Sequence, residues 1–402
     1  MKTQSSAPLC FTVFNDYLGF ALTLTIFAPL ILSNHFIGEM AFKERSFILG
    51  LLLASYPLMQ FFSAPFIGGL SDRYGRKPLL MVTIFISMLC YVLGGLAIIN
   101  HSLVLLFMAR IFGGVVAGNV TAAQAAIADM SNFDNKTRNM AYLTSAVGIG
   151  FIAGAVVGGK LTEYGFATPF WFVASLFFLN FLQVLIFFKE TRVIQLSMTS
   201  FRLTEHISRT VKTIRLIELR PYFMIFFLSA IAINFFIQFG GAFLKVKFFL
   251  GAPQIGDYYG LIIVGFLLST LFLIRFFSKH FDIKNLATIT LLGMAFLVAT
   301  IALLGSPIWL YLPFFLYGIG NGLFNASIYP MVSNAAEKED QGKAFGVLVS
   351  INSFAQVFAP AVSGLLFAYH PDIPLLFGSL IFFITGIISL CTFSFILRGH
   401  KS

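Results

Sequence analysis

Long apolar runs alternate with short polar or Gly/Pro-rich breaks along this chain of 402 residues. A helix needs about 20 apolar residues to cross a bilayer, and most of the runs reach that length. We interpret twelve of them as membrane-spanning helices and number these predicted spans 1 to 12 in chain order. They lie near 9–33, 46–70, 78–99, 102–128, 139–160, 167–188, 221–244, 256–277, 285–304, 307–332, 342–369 and 373–396.

One long polar connection, residues 189–220, divides the twelve spans into six and six. The pattern predicts an all-α membrane protein of two pseudo-symmetric six-helix bundles, 1–188 and 221–402. Sliding the sequence by 205 positions aligns spans 4–5 with spans 10–11, although few residues are identical. The linker carries seven basic residues, so we expect it to form an amphipathic helix on the membrane surface.

Composition and charge agree with a membrane protein. The chain is 58% apolar and only 10% charged, which excludes an ordinary soluble enzyme. Its net charge of +10 resembles that of a nucleic-acid binder, but the basic residues are distributed unevenly. Of the 26 Lys and Arg residues, 20 lie on one side of the predicted membrane. This side also holds both termini and the linker. The positive-inside rule therefore places both termini in the cytoplasm, and we expect no nucleic-acid partner.

Amide side chains are concentrated in spans 1, 2, 4, 7, 10 and 11, where polar positions form stripes at about 100° per residue. Each amide alone could simply bond a neighbouring helix, for about 1 kcal/mol. Stripes in both halves favour a shared aqueous cavity. Asn119 projects opposite Arg110 and is left out of this set. The candidate cavity residues are Phe20, Thr23, Tyr56, Gln60, Thr121, Gln124, Asn234, Gln238, Lys245, Tyr317, Asn321, Asn325, Asn352 and Gln356.

The loop between spans 2 and 3 reads Gly69-Leu70-Ser71-Asp72-Arg73-Tyr74-Gly75-Arg76-Lys77-Pro78. It resembles the G-x-L-x-D-R-x-G-R-K signature of the major facilitator superfamily. The resemblance implies a cytoplasmic gate in which Asp72 approaches the start of span 11. It also implies that Arg76 pairs with an acid closing span 4, here Asp129. The residues of this gate motif are Gly69, Asp72, Arg73, Gly75, Arg76, Lys77 and Asp129.

Two charged residues lie inside predicted spans, Asp16 in span 1 and Arg110 in span 4. A charge at that depth is costly and needs a partner or water. The sequence around Asp16, Phe14-Asn15-Asp16-Tyr17-Leu18-Gly19-Phe20, resembles the first helix of tetracycline-efflux drug–proton antiporters. This resemblance implies that Asp16 carries a proton. Arg110-Ile-Phe-Gly113-Gly114 in span 4 is similar to the family's intramembrane arginine followed by glycine, which implies that Arg110 adjusts the affinity of a nearby proton carrier or contacts substrate. The alternatives are a structural carboxylate and an arginine that reaches the membrane surface.

Span 5 carries Gly150, Gly154, Gly158 and Gly159, and this spacing predicts close helix packing. The segment is similar to the antiporter signature G-x-x-x-G-P-x-x-G-G, except that Ala155 replaces the proline. The substitution leaves the direction of transport open.

We therefore expect a proton-coupled secondary transporter that works by alternating access and exports a small organic solute or drug. The alternative is a proton-coupled importer of a metabolite or siderophore-like organic anion, favoured by Ala155 and by the cationic Arg110 and Lys245. A channel would show a ring of like charges or a repeated filter segment, and the sequence has neither.

We expect no enzymatic activity, because the sequence lacks HExxH, CxxC and a lysine-containing phosphate loop. No cofactor or metal is expected, the proton being the coupling ion. The expected partners are a small-molecule substrate and membrane lipids. We expect a monomer that crosses the bacterial cell (inner) membrane many times.

Overall fold

The computed structural model describes residues 6–131, 133–191, 219–337 and 340–399, and in these ranges every regular element is helical. Most of the predicted linker, 192–218, lies outside the described residues. The helices of the first half are α1 (Ala7–Leu32), α2 (Asn34–Ile37), α3 (Phe42–Tyr74), α4 (Arg76–Ile99), α5 (Leu103–Val116), α6 (Asn119–Met130), α7 (Phe133–Leu161) and α8 (Thr168–Phe187).

The second half begins with α9, which spans Arg220–Phe248 and starts with a proline in its first turn. A π-helical turn, Ser269–Leu273, joins α10 to α11. Single-turn 3₁₀ helices occupy Thr162–Tyr164 and Pro307–Leu310. The other helices are α10 (Ala252–Leu268), α11 (Ile274–His280), α12 (Ile283–Leu303), α13 (Tyr311–Ala335), α14 (Gln341–Phe367) and α15 (Ile373–Gly399).

Eleven helical segments in the described ranges are long and apolar enough to cross a membrane. Together, α5 and α6 represent span 4, while α10, the π turn and α11 represent span 8. The remaining span, 10, is α13, a helix of 25 residues. Its asparagines Asn321, Asn325 and Asn334 lower its hydropathy relative to the other spans. The predicted all-helical membrane fold is confirmed.

The described chain forms two compact units. The first contains α1, α2, α4–α8, most of α3 and the residues Gly251–Asp257. The second contains Phe42–Gly50, α9, the rest of α10 and α11–α15.

The most extensive helix contact in the first unit is that of α1 with α7, and it depends on the predicted small residues. A methyl group on Gly150 would overlap the carbonyl oxygen of Phe14, and one on Gly154 would overlap that of Leu18. Gly158 lies against the Leu22 side chain, so three glycines at four-residue spacing line the contact. The fourth, Gly159, faces the backbone of Ala252. These approaches let the two backbones meet closely, as small residues do in membrane helices.

Replacing Gly154 by alanine is expected to lower the stability of the protein by about 2 kcal/mol, because a backbone has to move to admit the methyl group. The measurement is the melting temperature of the purified protein in detergent. Gly293→Ala in α12 is the control, since its methyl group would meet no atom within 4 Å. Equal melting temperatures for the two variants would show that close packing at Gly154 is not required.

Candidate functional site

A small cavity lies inside the first unit. Its volume is about 30 Å³, which is room for one or two water molecules. The polar groups in its wall come from four helices. They are Asp16 and Thr23 of α1, Tyr56 of α3, Ser87, Cys90 and Tyr91 of α4, and Arg110 of α5.

Asp16 is the acidic group of this cavity. It is only 8% exposed, and its Oδ1 atom accepts a hydrogen bond from Asn119 Nδ2 at 3.4 Å. Its Oδ2 atom has no hydrogen-bond partner among the described residues. A buried carboxyl oxygen without a partner is costly, so Asp16 is placed to take up a proton or to hold a water molecule.

Arg110 supplies the positive charge in the same wall and is 6% exposed. Its guanidinium group lies over two aromatic rings, 4.6 Å from the centroid of Tyr56 and 5.3 Å from that of Phe27. Such cation–π contacts partly replace hydration for a buried cation. Arg110 Nε has no hydrogen-bond partner among the described residues, and Arg110 forms no direct ion pair with Asp16. The two charges therefore share one small cavity without touching.

The predicted fourth span is broken at Ala117 and Gly118, between α5 and α6. Side chains of α3 form hydrogen bonds with carbonyl groups around the break. Ser63 Oγ donates to Gly114 O at 3.1 Å, and Gln60 Nε2 donates to Ala117 O at 3.5 Å. The break changes the angular register of all that follows, so residues of α6 do not continue the stripe of α5.

Asn119 is therefore not on the face that the sequence predicts. Its side chain is fully buried and donates to both Asp16 Oδ1 and Ser87 Oγ, the latter at 3.3 Å. Thr121 and Gln124, expected on the same stripe as Arg110, are exposed and do not line its cavity. The expectation that Asn119 lies outside the site is therefore wrong, because Asn119 bonds Asp16 directly.

The remaining predicted residues of the first unit lie near the cavity. Phe20 packs on the rings of Tyr56 and Phe151, with centroids 6.4 and 5.9 Å apart. Thr23 is buried and donates to the carbonyl of Phe20. Gln60 is half-buried and contacts the helix break rather than the cavity.

The gate motif forms a hairpin organised by Arg76, whose side chain is buried. Its guanidinium group contacts Asp72 Oδ1 at 3.0 Å, Asp129 Oδ2 at 3.0 Å and Ser71 Oγ at 2.9 Å. Arg73 is exposed and lies over the ring of Tyr74, while Gly69 is half-buried on α3. One buried cation therefore ties the end of α3 to the end of α6.

The hairpin also depends on Glu190, which the sequence reasoning missed. Its carboxylate accepts hydrogen bonds from the backbone N–H groups of Arg76 and Lys77 at 2.9 and 3.0 Å, at the start of α4. Gly75 has φ of 98°, and a side chain there would meet this carboxylate. Lys77 Nζ in turn donates to Leu185 O near the end of α8, at 2.8 Å. The sequence shows only an acid directly after span 6, and its role as a cap of α4 becomes visible in the tertiary contacts.

The residues of the second unit that the sequence predicts to line a cavity lie on α9, α13 and α14. Asn234 is buried and donates to Ala230 O, while Gln238 and Tyr317 are buried with Nε2 and OH groups that have no partner among the described residues. Asn325 donates to Asn321 Oδ1 at 2.8 Å. The half-buried residues are Lys245, Asn321, Asn325, Asn352 and Gln356.

A side chain of α10 bonds two backbone groups of α9 beside Gln238. The Tyr259 hydroxyl of α10 donates to Ile237 O at 2.6 Å and accepts from Gly241 N at 2.9 Å. The hydroxyl group thus contacts the donor and the acceptor of one turn of α9 from the side. Within the described residues no group of three or more His, Cys, Asp or Glu side chains could hold a metal ion.

Comparison with known proteins agrees with this architecture. The sequence model of the Major Facilitator Superfamily matches residues 9–328 and 222–401. The class B tetracycline resistance protein of Escherichia coli is 27% identical over 385 residues, 93% of this chain and 90% of that protein. The quinolone resistance protein NorA of Staphylococcus aureus is 25% identical over 378 residues, 91% of each chain. The resemblance to tetracycline-efflux proteins is thus confirmed.

Solved structures show the same fold. A mutant of the nucleoside transporter NupG has a TM-score of 0.76 at 14% identity, covering 97% of this chain and 99% of that one. The human organic anion transporter MFSD10 has a TM-score of 0.68 at 18% identity, covering 96% and 98%. With its eleven candidate spans and bacterial relatives, the protein is a multi-pass protein of the bacterial inner membrane. The chain belongs to the major facilitator superfamily of transporters.

Proposed function

We propose that this transporter exports small organic drugs of the tetracycline or quinolone kind by alternating access, coupled to protons. Its similarity to tetracycline and quinolone resistance proteins over nine-tenths of the chain supports the substrate class. The buried, incompletely bonded carboxyl group of Asp16 is the observation that carries the proton coupling.

The size of the cavity supports a proton rather than a drug as the partner of Asp16. A volume of about 30 Å³ admits water, whereas drug-sized ligands occupy pockets of about 300 Å³ or more. Arg110 in the same wall stabilises the negatively charged carboxylate and so opposes tight proton retention by Asp16. A carboxyl group that must load and release a proton in each cycle needs such an opposing charge.

The gate motif is the proposed element that opens and closes during alternating access. Arg76 binds two carboxylates and one hydroxyl group at the ends of α3 and α6. Side chains that hold a hairpin through charge pairs can form and break that arrangement as a unit, which suits a gate. The polar residues of α9, α13 and α14 are the proposed contribution of the second unit to drug binding.

Transport by purified protein in liposomes tests the function. With an acidic interior and tetracycline or a fluoroquinolone outside, we expect the drug to accumulate inside liposomes that contain the protein. Collapse of the pH gradient by nigericin is expected to abolish the accumulation, and protein-free liposomes serve as the control. Accumulation that persists after nigericin would contradict proton coupling.

The same assay separates the importer alternative, which the cationic Arg110 and the half-buried Lys245 favour. A carboxylate solute placed outside liposomes with an alkaline interior would enter with protons if the protein is a symporter. Uptake of the carboxylate together with no movement of either drug would replace the proposed export function.

A further inference from the structure

We propose that Asn119 is a positioning residue that links the protonation of Asp16 to the cytoplasmic gate, with α6 as the connecting element. This inference rests on the proposed proton coupling. Three observations carry it: the break before α6, the contacts of Asn119, and the position of Asp129 at the other end of α6.

The first observation is that α6 is a separate segment of 12 residues. Ala117 and Gly118 interrupt the ladder between α5 and α6, and α3 side chains bind the carbonyl groups of Gly114 and Ala117. A helix released from its neighbour at a break can tilt or shift without deforming that neighbour. Interrupted membrane helices are stable where other polar groups satisfy the freed backbone, as here.

The second observation is the contact set of Asn119, the first residue of α6. Its Nδ2 group donates to the Asp16 carboxylate and to Ser87 Oγ, while its Oδ1 has no hydrogen-bond partner among the described residues. An amide can donate to a carboxylate and can accept from the O–H of a protonated carboxylic acid. Asn119 is therefore able to bond both forms of Asp16, but through different atoms, so its preferred position depends on the proton.

The third observation is the other end of α6. Asp129 is ten residues beyond Asn119, about 15 Å along the helix, and it pairs with Arg76 of the gate hairpin. Because α6 is a short helix, a displacement of Asn119 at its start also moves Asp129 and the ion pair of the gate at its end. Protonation of Asp16 and the ion pair of the gate therefore both act on the position of α6. Coupling between two sites requires such a shared element.

Other ionisable groups also face Asp16 and act together with Asn119. Arg110 of α5, Tyr56 of α3, and Cys90 and Tyr91 of α4 line the same cavity. Of the helices α7 and α8, which also pack on α1, the described cavity wall includes only Phe170 of α8. Asn119 differs from these cavity groups because it belongs to α6 and donates a hydrogen bond to Asp16.

Asn119→Ala tests the link through the pH dependence of drug transport in liposomes. Because Asn119 donates a hydrogen bond to the charged carboxylate, its loss is expected to move the pH of half-maximal transport upward by about one unit. Asn119→Ser keeps a hydroxyl donor and is expected to shift the profile less. Asn180→Ala is the matched control, because Asn180 is equally buried in this unit but bonds Pro8 and Thr12. It is expected to leave the midpoint unchanged.

A double variant tests the role of α6. If α6 connects the sites, the shifts caused by Asn119→Ala and Asp129→Asn will not add in the double variant, whereas independent sites at this distance do add. Additive shifts, or an unmoved midpoint in Asn119→Ala, would overturn the inference while wild-type transport remains proton-coupled. Absence of proton coupling in the wild type would instead refute the proposed function.

Discussion

Replacing Asp16 by asparagine is expected to abolish proton-driven accumulation of drug and to reduce it to the level of protein-free liposomes. The carboxamide has nearly the shape of the carboxyl group, so the packing of α1 against α7 and α8 should persist. It cannot bind and release a proton near neutral pH, however, and the coupling step is lost. The measurement is drug accumulation under an imposed pH gradient.

The Asp16→Asn variant should still equilibrate drug down its own concentration gradient, which separates loss of coupling from loss of folding. Asp257→Asn is the matched control, because Asp257 is a half-buried acid of the same unit that does not line the cavity. Wild-type accumulation by Asp16→Asn would remove Asp16 from the mechanism.

The polar stripe of α1 shows how far the sequence predicts this site. Because α1 is regular from Ala7 to Leu32, positions about 100° apart in the sequence keep their relation in space. Asp16 and Thr23 line the cavity, Phe20 packs beside it, and Phe27 lies under Arg110, as one face of a helix requires.

The same reasoning does not hold for the fourth span, because a stripe at 100° per residue requires one continuous helix. Ala117 and Gly118 break it, and the contacts that stabilise the break come from Gln60 and Ser63 of another helix. Hydropathy does not register such a break, since both α5 and α6 are apolar. Asn119 could be placed beside Asp16 only once the tertiary contacts were known.

Glu190 illustrates a second limit. The gate motif is local and could be recognised from its own sequence, but its anchor lies 114 positions beyond Arg76. Capping of α4 by Glu190 depends on how α8 ends beside α4, and these two helices form one of the main contacts of the first unit. Partners this distant follow from packing, which the pattern of a single sequence does not encode.

Arg76→Ala is expected to lower the stability of the protein by about 2 kcal/mol and to reduce drug transport at least about tenfold. The substitution removes a buried guanidinium group and leaves Asp72, Asp129 and Ser71 without their shared partner. Asp72 and Asp129 are partly exposed, so water recovers part of the loss. The measurements are melting temperature and initial transport rate.

Arg73→Ala is the control for the charge of the hairpin, because Arg73 is exposed and its ring contact is with Tyr74 of the same turn. Its stability is expected to stay within about 0.5 kcal/mol of the wild type. Arg76→Lys should fall between the two, since one ammonium group keeps the charge but cannot reach three acceptors in the geometry of the planar guanidinium. If Arg73→Ala and Arg76→Ala were equally impaired, positive charge at the membrane surface would be what matters. The cluster that the buried Arg76 forms with Asp72 and Asp129 would then not be the gate.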